Sequence, residues 1–116
     1  MTDGLQTIIF PVHDLAGATA LYTALLGTAP TTDQPYYVGF DVAGQQVGLD
    51  PNGHRKGMTG PVAYWHVADI GQSVQALLGN GARIQQDVRD VGGGRLVATL
   101  TDTDGNVVGL LQPAGS

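Results

Sequence analysis

Residues 7–15 read TIIFPVHDL, and residues 62–70 read VAYWHVADI. When the two stretches are aligned, Val12 corresponds to Val67 and Asp14 to Asp69. Each stretch is a run of β-forming residues that leads into Asp followed by an aliphatic residue, a pattern typical of a strand that enters an N-capped helix. Because the pattern occurs twice at a wide spacing, we interpret the chain as an internal duplication.

A helical pattern follows the aspartate of each repeat. Leu15–Leu26 has apolar residues on one face and is followed by Gly27, and Ile70–Leu78 has the same character and is followed by Gly79 and Gly81. The two aspartates are predicted to cap the helices by accepting hydrogen bonds from amides of the first turn. The glycines are predicted to end the helices in a left-handed conformation.

Strand and turn segments follow each helix. In the first half, two β-rich segments flank Ala43-Gly44, which is predicted to form a hairpin turn. A further strand is expected within the Pro- and Thr-rich stretch 28–35, where the signal is weak. The predicted strands after the helices are 36–42 and 46–50 in the first half, and 83–88, 96–101 and 106–112 in the second.

The repeating unit is therefore one strand, one helix and three further strands. We predict an α+β fold in which two βαβββ modules form a curved, mixed, eight-stranded sheet with both helices on its convex face. A chain of 116 residues has the size of one domain, so 1–116 is expected to be a single domain with modules at about 1–55 and 56–116.

The composition excludes several classes of function. The chain has five basic and ten acidic residues, a net charge of −5, and all ten acidic residues are Asp. This balance disfavours nucleic acid as a partner, because phosphate binding needs a basic surface. There is no cysteine, no apolar run long enough to span a membrane and no secretion signal, so we expect a cytoplasmic protein without membrane contact.

The order of these motifs resembles the vicinal-oxygen-chelate superfamily, which includes glyoxalases, bleomycin-resistance proteins and dioxygenases. The resemblance covers nearly the whole chain. It is carried by the two V-x-D-[LI] motifs, by LYTALLG at Leu21–Gly27, and by DTDGN at Asp102–Asn106, which opens the last strand. The usual family turn is DPDGN, so Thr103 is a departure that keeps the turn-forming residues.

The resemblance implies a divalent metal held by His, Gln or Glu at four positions. In this chain those positions fall on Thr7, Gly48, Val62 and Gly109. Threonine is a weak neutral ligand, valine has no donor atom, and glycine offers only its backbone, whereas such metals need imidazole or carboxylate donors. We therefore expect neither a metal nor another cofactor, and no catalytic residue is assigned.

The resemblance implies which face of each strand is turned towards the helices, and strand alternation then gives the residues expected to line the cleft on the other face. Trp65 is expected to face the helices instead, within the core. His66 is expected to hydrogen-bond a ligand or to act as a base, and the two glycines are expected to leave space above the sheet. The predicted ligand-binding residues are Thr7, Ile9, Tyr37, Gly48, Asp50, Val62, Tyr64, His66, Gly109 and Leu111.

Three functions fit these patterns. The first is a metal-free, homodimeric binding protein that sequesters a hydrophobic or aromatic molecule, an antibiotic being one candidate, as the resemblance to metal-free family members implies. The second is a lyase, isomerase or dioxygenase-type enzyme, either with a relocated metal on His66, Asp50 and His13 or His54, or with His66 as base and Tyr64 as acid. The third is an interaction module. The absence of ligands at the metal positions favours a protein that is not an enzyme.

Overall fold

The computed structural model describes residues 2–115. These residues form eight strands and two α-helices, so the fold is α+β, as predicted. The strands are hydrogen-bonded in the order β2-β3-β4-β1-β5-β8-β7-β6 and make a mixed sheet. The elements are β1 (Thr2–Pro11), α1 (Leu15–Leu26), β2 (Thr32–Gln34), β3 (Tyr37–Val42), β4 (Gln45–Asp50), a short 3-10 turn (His54–Lys56), β5 (Val62–Val67), α2 (Ile70–Leu78), β6 (Arg83–Asp90), β7 (Leu96–Thr101) and β8 (Val107–Gln112).

The chain divides into two compact units. The first unit is Gln6–Val62, and the second comprises residues 2–5 and 63–115. In the first unit β1 pairs with β4 in parallel, and β2, β3 and β4 form antiparallel pairs. In the second unit β5 pairs with β8 in parallel, and β6, β7 and β8 form antiparallel pairs. The two units therefore have the same internal order of strand, helix and three strands.

The junction between strand and helix is built in the same way in both units. The Asp14 carboxylate accepts a hydrogen bond of 3.0 Å from the Gly17 amide, and the Asp69 carboxylate accepts one of 3.0 Å from the Gln72 amide. Both aspartates have extended backbones, as an N-cap residue should. The predicted caps are confirmed.

The helix ends differ from each other. Gly27 ends α1 with φ of 71°, which is the predicted left-handed conformation. Gly79 follows α2 with φ of −66°, so the prediction for this residue was wrong. The left-handed position comes two residues later at Gly81, where φ is 98°. The chain leaves α2 by this extra turn because the amides of Asn80 and Gly81 still bond to carbonyls of the last helical turn.

The turns that lead into β4 and β8 fix the register of these two strands. Ala43 and Gly44 join β3 to β4 with φ of 51° and 78°, and this two-residue loop has the left-handed geometry that matches the twist of a hairpin. The Asp102 carboxylate stabilises the turn that joins β7 to β8. It accepts hydrogen bonds from the Asn106 amide at 2.8 Å and from the Asp104 amide at 2.9 Å. Bonds from Asn106 lower the pKa of Asp102.

Each helix packs on one face of its own unit. In the first unit, alternate residues of β3 and β4 lie under α1, and the Phe10 and Tyr22 rings are 5.3 Å apart. Trp65 was predicted to lie in the core but is 38% exposed, so that prediction was wrong. The buried clusters are Val38, Phe40 and Leu49 in the first unit, and Val67, Ile70, Val74, Ala98, Leu100 and Leu110 in the second.

Neither helix of the described chain is long and apolar enough to cross a membrane. The outer side of α1 nevertheless carries Leu21 and Leu25, which are 61% and 71% exposed. Helix α1 has no acidic residue in its first turn and no basic residue in its last turn. Apart from the Asp14 cap, its stability therefore depends on packing against β3 and β4 rather than on further charges at its ends.

We predict that Leu49→Ala lowers the free energy of unfolding by about 2–5 kcal/mol, because Leu49 is fully buried and its removal leaves a cavity beneath α1. Leu25→Ala is the matched control in the same unit, since Leu25 is 71% exposed and its loss should cost less than about 0.5 kcal/mol. Urea unfolding of both variants measures the difference. Equal losses would contradict the assignment of this core.

Candidate functional site

The face of each unit that does not carry its helix is here called the helix-free face. In the first unit, strand alternation places Gly48 on this face, since its neighbour Leu49 lies under α1. Gly48 pairs with Ile9 on one side and with Gly39 on the other. The centre of this face therefore has two adjacent glycines, and the predicted site residue Ile9 borders them.

Tyr37 fills the space above these glycines. A Cβ atom built on Gly48 would collide with the Tyr37 hydroxyl and would lie 2.7 Å from its Cζ. A Cβ atom built on Gly39 would lie 3.1 Å from Cε2 of the same ring. The expectation that Gly48 leaves open space was therefore wrong, because the missing side chain makes room for an aromatic ring.

The second unit has a similar arrangement on its helix-free face. Gly109 pairs with Tyr64 across β5 and β8, and a Cβ atom built on Gly109 would lie 2.7 Å from Cδ2 of Tyr64. The same Cβ atom would lie 2.7 Å from the carbonyl oxygen of Ala63. Tyr64 is buried. Gly48 and Gly109, the two glycines at family metal positions, are thus each covered by a tyrosine ring. Here too, the expected open space is occupied.

His66 lies one row further along the same face. It pairs with Leu111, which pairs in turn with Val97, and both His66 and Leu111 are buried. The pKa of His66 is lowered from 6.5, first by burial and then by the positive charge of Arg95, whereas Asp3 acts in the opposite direction. The imidazole is therefore mainly neutral at pH 7, and it can donate or accept a hydrogen bond.

Thr99 completes the central row of the second unit, and sequence reasoning missed it. It pairs with Gly109 on the side opposite Tyr64. Thr99 is 6% exposed, and within the described part of the chain its hydroxyl is buried without a hydrogen-bond partner. Alternation along β7 would have placed Thr99 on this face, but only the register with Gly109 shows that its neighbour has no side chain.

Two predicted polar site residues have partners within the first unit. The Asp50 carboxylate forms an ion pair of 2.9 Å with Lys56 and accepts a hydrogen bond of 2.8 Å from the Asn52 amide. The Thr7 hydroxyl is buried and donates a hydrogen bond of 3.0 Å to the Gln46 side-chain oxygen. Asp50 therefore stabilises the loop after β4, and Thr7 stabilises the pairing of β1 with β4.

The residues at the family metal positions do not fit a metal. Thr7 is bonded to Gln46, the two glycines lie under tyrosine rings, and the buried Val62 has no donor atom. Among residues 2–115 there is no group of three His, Asp, Glu or Cys side chains that would hold a metal elsewhere. The relocated site suggested for His66 and Asp50 therefore has no donor cluster to support it.

His13 and His54 contact each other at the surface of the first unit, an arrangement that the sequence did not predict. Their rings are stacked, with centroids 3.9 Å apart and planes 4° apart. Both residues are exposed. In this parallel stack the ring nitrogens point along the two planes rather than towards a common point between them, which disfavours their sharing one metal ion.

A model of the Glyoxalase/Bleomycin resistance protein/Dioxygenase superfamily matches residues 4–110. The chain belongs to this superfamily. The match covers both βαβββ units, including the glycines under the tyrosine rings and the DTDGN turn. None of the curated proteins compared with the chain matches it.

Solved structures of other proteins have the same fold as this chain. Methylmalonyl-CoA epimerase from Mycobacterium tuberculosis has a TM-score of 0.75 and 18% identity, over 98% of this chain and 90% of that one. A variant of the Streptomyces coelicolor epimerase, in complex with 2-nitronate-propionyl-CoA, has a TM-score of 0.76 and 16% identity, over 99% and 100%. A structure described as NAD-dependent benzaldehyde dehydrogenase from Legionella pneumophila has a TM-score of 0.75 and 18% identity, over 91% and 96%. At identities this low, the structural similarity shows a shared fold and no more.

We predict that Gly48→Ala lowers the free energy of unfolding by about 1–3 kcal/mol, because the new methyl group must displace the Tyr37 hydroxyl. In a Tyr37→Leu background the same change should cost about 1 kcal/mol less, because the colliding group is gone. Urea unfolding of the two single variants and the double variant measures this coupling.

The second unit provides the control for this cycle. Gly109→Ala should stay destabilising in a Tyr64→Leu background, because the Ala63 carbonyl oxygen remains 2.7 Å from the new methyl group. Strictly additive effects for Gly48 and Tyr37 would show that the Tyr37 ring does not rest on Gly48.

We predict that His66 makes the protein less stable in mild acid. Because its folded pKa lies below 6.5, the unfolded state binds more protons, so the contribution of His66 is complete above about pH 6.5 and is lost as the pH falls below it. His66→Gln should reduce the loss of unfolding free energy between about pH 7.5 and 5.5. His54→Gln, which removes an exposed histidine, is the control. An unchanged pH dependence in His66→Gln would contradict the assignment.

Proposed function

We propose that this chain is a metal-free binding protein that holds a hydrophobic or aromatic small molecule on the helix-free faces of its units. The observation that carries the proposal is the replacement of two metal-ligand positions by Gly48 and Gly109, each covered by a tyrosine ring. In both units, aromatic surface takes the place where the superfamily has a metal-binding side chain.

The chemistry of the two helix-free faces supports an uncharged or weakly polar binding surface. The helix-free faces carry Ile9, Tyr37, Tyr64 and Leu111, together with the polar side chains of Thr7, His66 and Thr99. Pockets for small molecules are mostly apolar and aromatic, with a small number of polar groups that fix the orientation of the ligand. Tyrosine rings contribute large apolar surfaces and prefer offset or edge-to-face contacts with other aromatic rings.

The metal-free members that the chain resembles bind aromatic antibiotics, and the proposal extends this ligand class to the chain. The proposal also includes that the protein is a homodimer and that it is located in the cytoplasm. Both of these stay predictions. Tyr37 is half-buried and is thus the tyrosine of the two that a ligand reaches more directly, whereas Tyr64 is 8% exposed.

An enzyme that transfers a proton is the second candidate, and the lowered pKa of His66 favours it. A buried neutral imidazole is a suitable general base near pH 7. Tyr64 lies two residues away on β5, on the same face, where alternation would allow it to act as the acid. Under this alternative, His66→Gln would abolish turnover and leave ligand binding unchanged.

We predict that a panel of planar aromatic compounds contains ligands that stabilise the protein by about 2.7 kcal/mol at a hundredfold excess over their Kd. Tyr37→Leu should remove most of this gain, because it removes the ring that covers Gly48. Tyr36→Leu is the matched control, since Tyr36 is the neighbouring tyrosine and is 65% exposed. Thermal unfolding with and without each compound measures the gain.

Two results would contradict the proposal. The first is a near-stoichiometric metal content in protein produced with zinc, nickel, iron and manganese supplied, since the proposal has no metal site. The second is an equal loss of stabilisation in Tyr37→Leu and Tyr36→Leu, which would place the ligand away from the glycine pair.

A further inference from the structure

The exposed surface of helix α1 is apolar. None of the twelve residues of the helix is charged, and one side of it packs against β3 and β4. A helix at the surface of a soluble protein typically has polar or charged residues on the side away from its core, but α1 does not. Its exposed side, here called the outer α1 face, consists of Ala16, Gly17, Ala20, Leu21, Ala24 and Leu25.

Helix α2 provides an internal comparison, because it follows the same capped strand in the other unit. When the helices are aligned by their capping aspartates, Gly17 corresponds to Gln72 and Ala20 to Gln75. The exposed residues of α2 are Gly71 and these two glutamines, and both leucines of α2 are partly buried. The βαβββ unit therefore accepts polar residues at these positions. The apolar residues of the outer α1 face are not required by the packing of the helix on its own strands.

The outer α1 face is complementary in shape to a second copy of itself. Residues four apart on a helix form inclined rows, and the rows of one helix fit into the grooves of another. Ala16, Ala20 and Ala24 form a low row, and Leu21 and Leu25, at 61% and 71% exposed, form a high row beside it. When two copies meet about a two-fold axis, the leucine row of each copy lies over the alanine row of the other.

The charge of the chain favours the same partner. Two copies that each carry a net charge of −5 repel each other, so they approach most readily through surfaces without charge. The nearest charged residue in the sequence is Asp14, whose carboxylate accepts a hydrogen bond from the Gly17 amide. A surface of anionic lipid is a poor alternative, because helices that bind one carry lysine or arginine beside their apolar residues, and α1 has neither.

We infer that two copies of this chain associate through their outer α1 faces. The inference rests on the homodimer that the proposed function includes and gives this homodimer an interface. Helix α1 is about 18 Å long, so its face is small beside the roughly 800 Å² that each partner buries in a stable complex. The association is therefore weak and depends on protein concentration. The helix-free face of the first unit stays open to a ligand, because α1 lies on the other side of β3 and β4.

The first experiment is sedimentation velocity of the whole chain at concentrations from about 1 to 500 μM, where wild-type protein should change from monomer to dimer. Leu21→Lys should weaken this association at least about tenfold, because each copy would have to bury an ammonium group. The same change lowers the net charge from −5 to −4, which reduces the general repulsion and by itself favours association. Gln75→Lys is the matched control, since it makes the same change of charge on the exposed side of α2 and should not weaken association.

A second variant and a change of salt test the same interface without adding a charge. Ala20→Gln gives α1 the residue that α2 has at the corresponding position, so the helix should stay folded. The thermal unfolding midpoint at the lowest concentration checks this. The longer side chain fills the low row and should weaken association about threefold or more. For wild-type protein, raising sodium chloride from about 0.05 to 0.5 M should strengthen association, because salt screens the repulsion between the acidic copies.

The outcomes separate the inference from the proposed function. Wild-type protein that stays monomeric at every concentration would overturn the inference and the homodimer, and would leave ligand binding in place. A dimer that folded Leu21→Lys or Ala20→Gln protein forms as well as the wild type would overturn the inference alone, because the homodimer would then use another surface. Association that becomes weaker with added salt would also overturn it, since such an interface would depend on ion pairs.

Discussion

The structure depends on one constraint, which is that each unit has a single helix and that this helix covers only one face of its strands. In the first unit, Val38, Phe40 and Leu49 lie under α1, and in the second, Ala98, Leu100 and Leu110 lie against α2. Strand alternation then determines which residues lie on the opposite face. The residues on this opposite face include Gly48 and Gly109, each under a tyrosine ring, together with His66 and Thr99.

In both units a tyrosine ring covers a glycine, but the tyrosine comes from a different strand in each unit. Gly48 and Gly109 hold corresponding places, but the ring over Gly48 comes from β3 and the ring over Gly109 comes from β5. The reason lies in the neighbouring strand. Gly48 pairs with Gly39, which leaves room for Tyr37 to lie across both, whereas Gly109 pairs with Thr99, whose side chain occupies that place. The shared feature of the duplication is therefore the glycine rather than the tyrosine.

The sequence predicted what depends on local signals. The helix bounds, the aspartate caps and the hairpin at Ala43-Gly44 follow from residues close in the chain, and the structure confirms them. The contacts of Tyr37 with Gly48 and of Lys56 with Asp50 could not be predicted, because they depend on strand register and on the path of a loop. Trp65 was misplaced because alternation gives the face of a residue but not whether anything covers it. Thr99 was missed for a related reason, since its pairing with a residue lacking a side chain is visible only in the register.

A site without metal-binding side chains has a different free-energy cost of burial from a metal site. A metal site requires several polar donors to be removed from water and held at fixed distances, and the ion repays this only when it is bound. Glycine under tyrosine removes that requirement, because the ring buries apolar surface whether or not a ligand is present. If stability alone had shaped the second unit, the remaining polar groups of this face would be expected to be apolar too. His66 and Thr99 are instead buried at 6% exposure each. The pKa of His66 is lowered by its burial, and the Thr99 hydroxyl has no hydrogen-bond partner among residues 2–115. The lowered pKa of His66 disfavours the folded state only in mild acid, so at neutral pH the Thr99 hydroxyl is the group of this pair that is buried at a cost to stability.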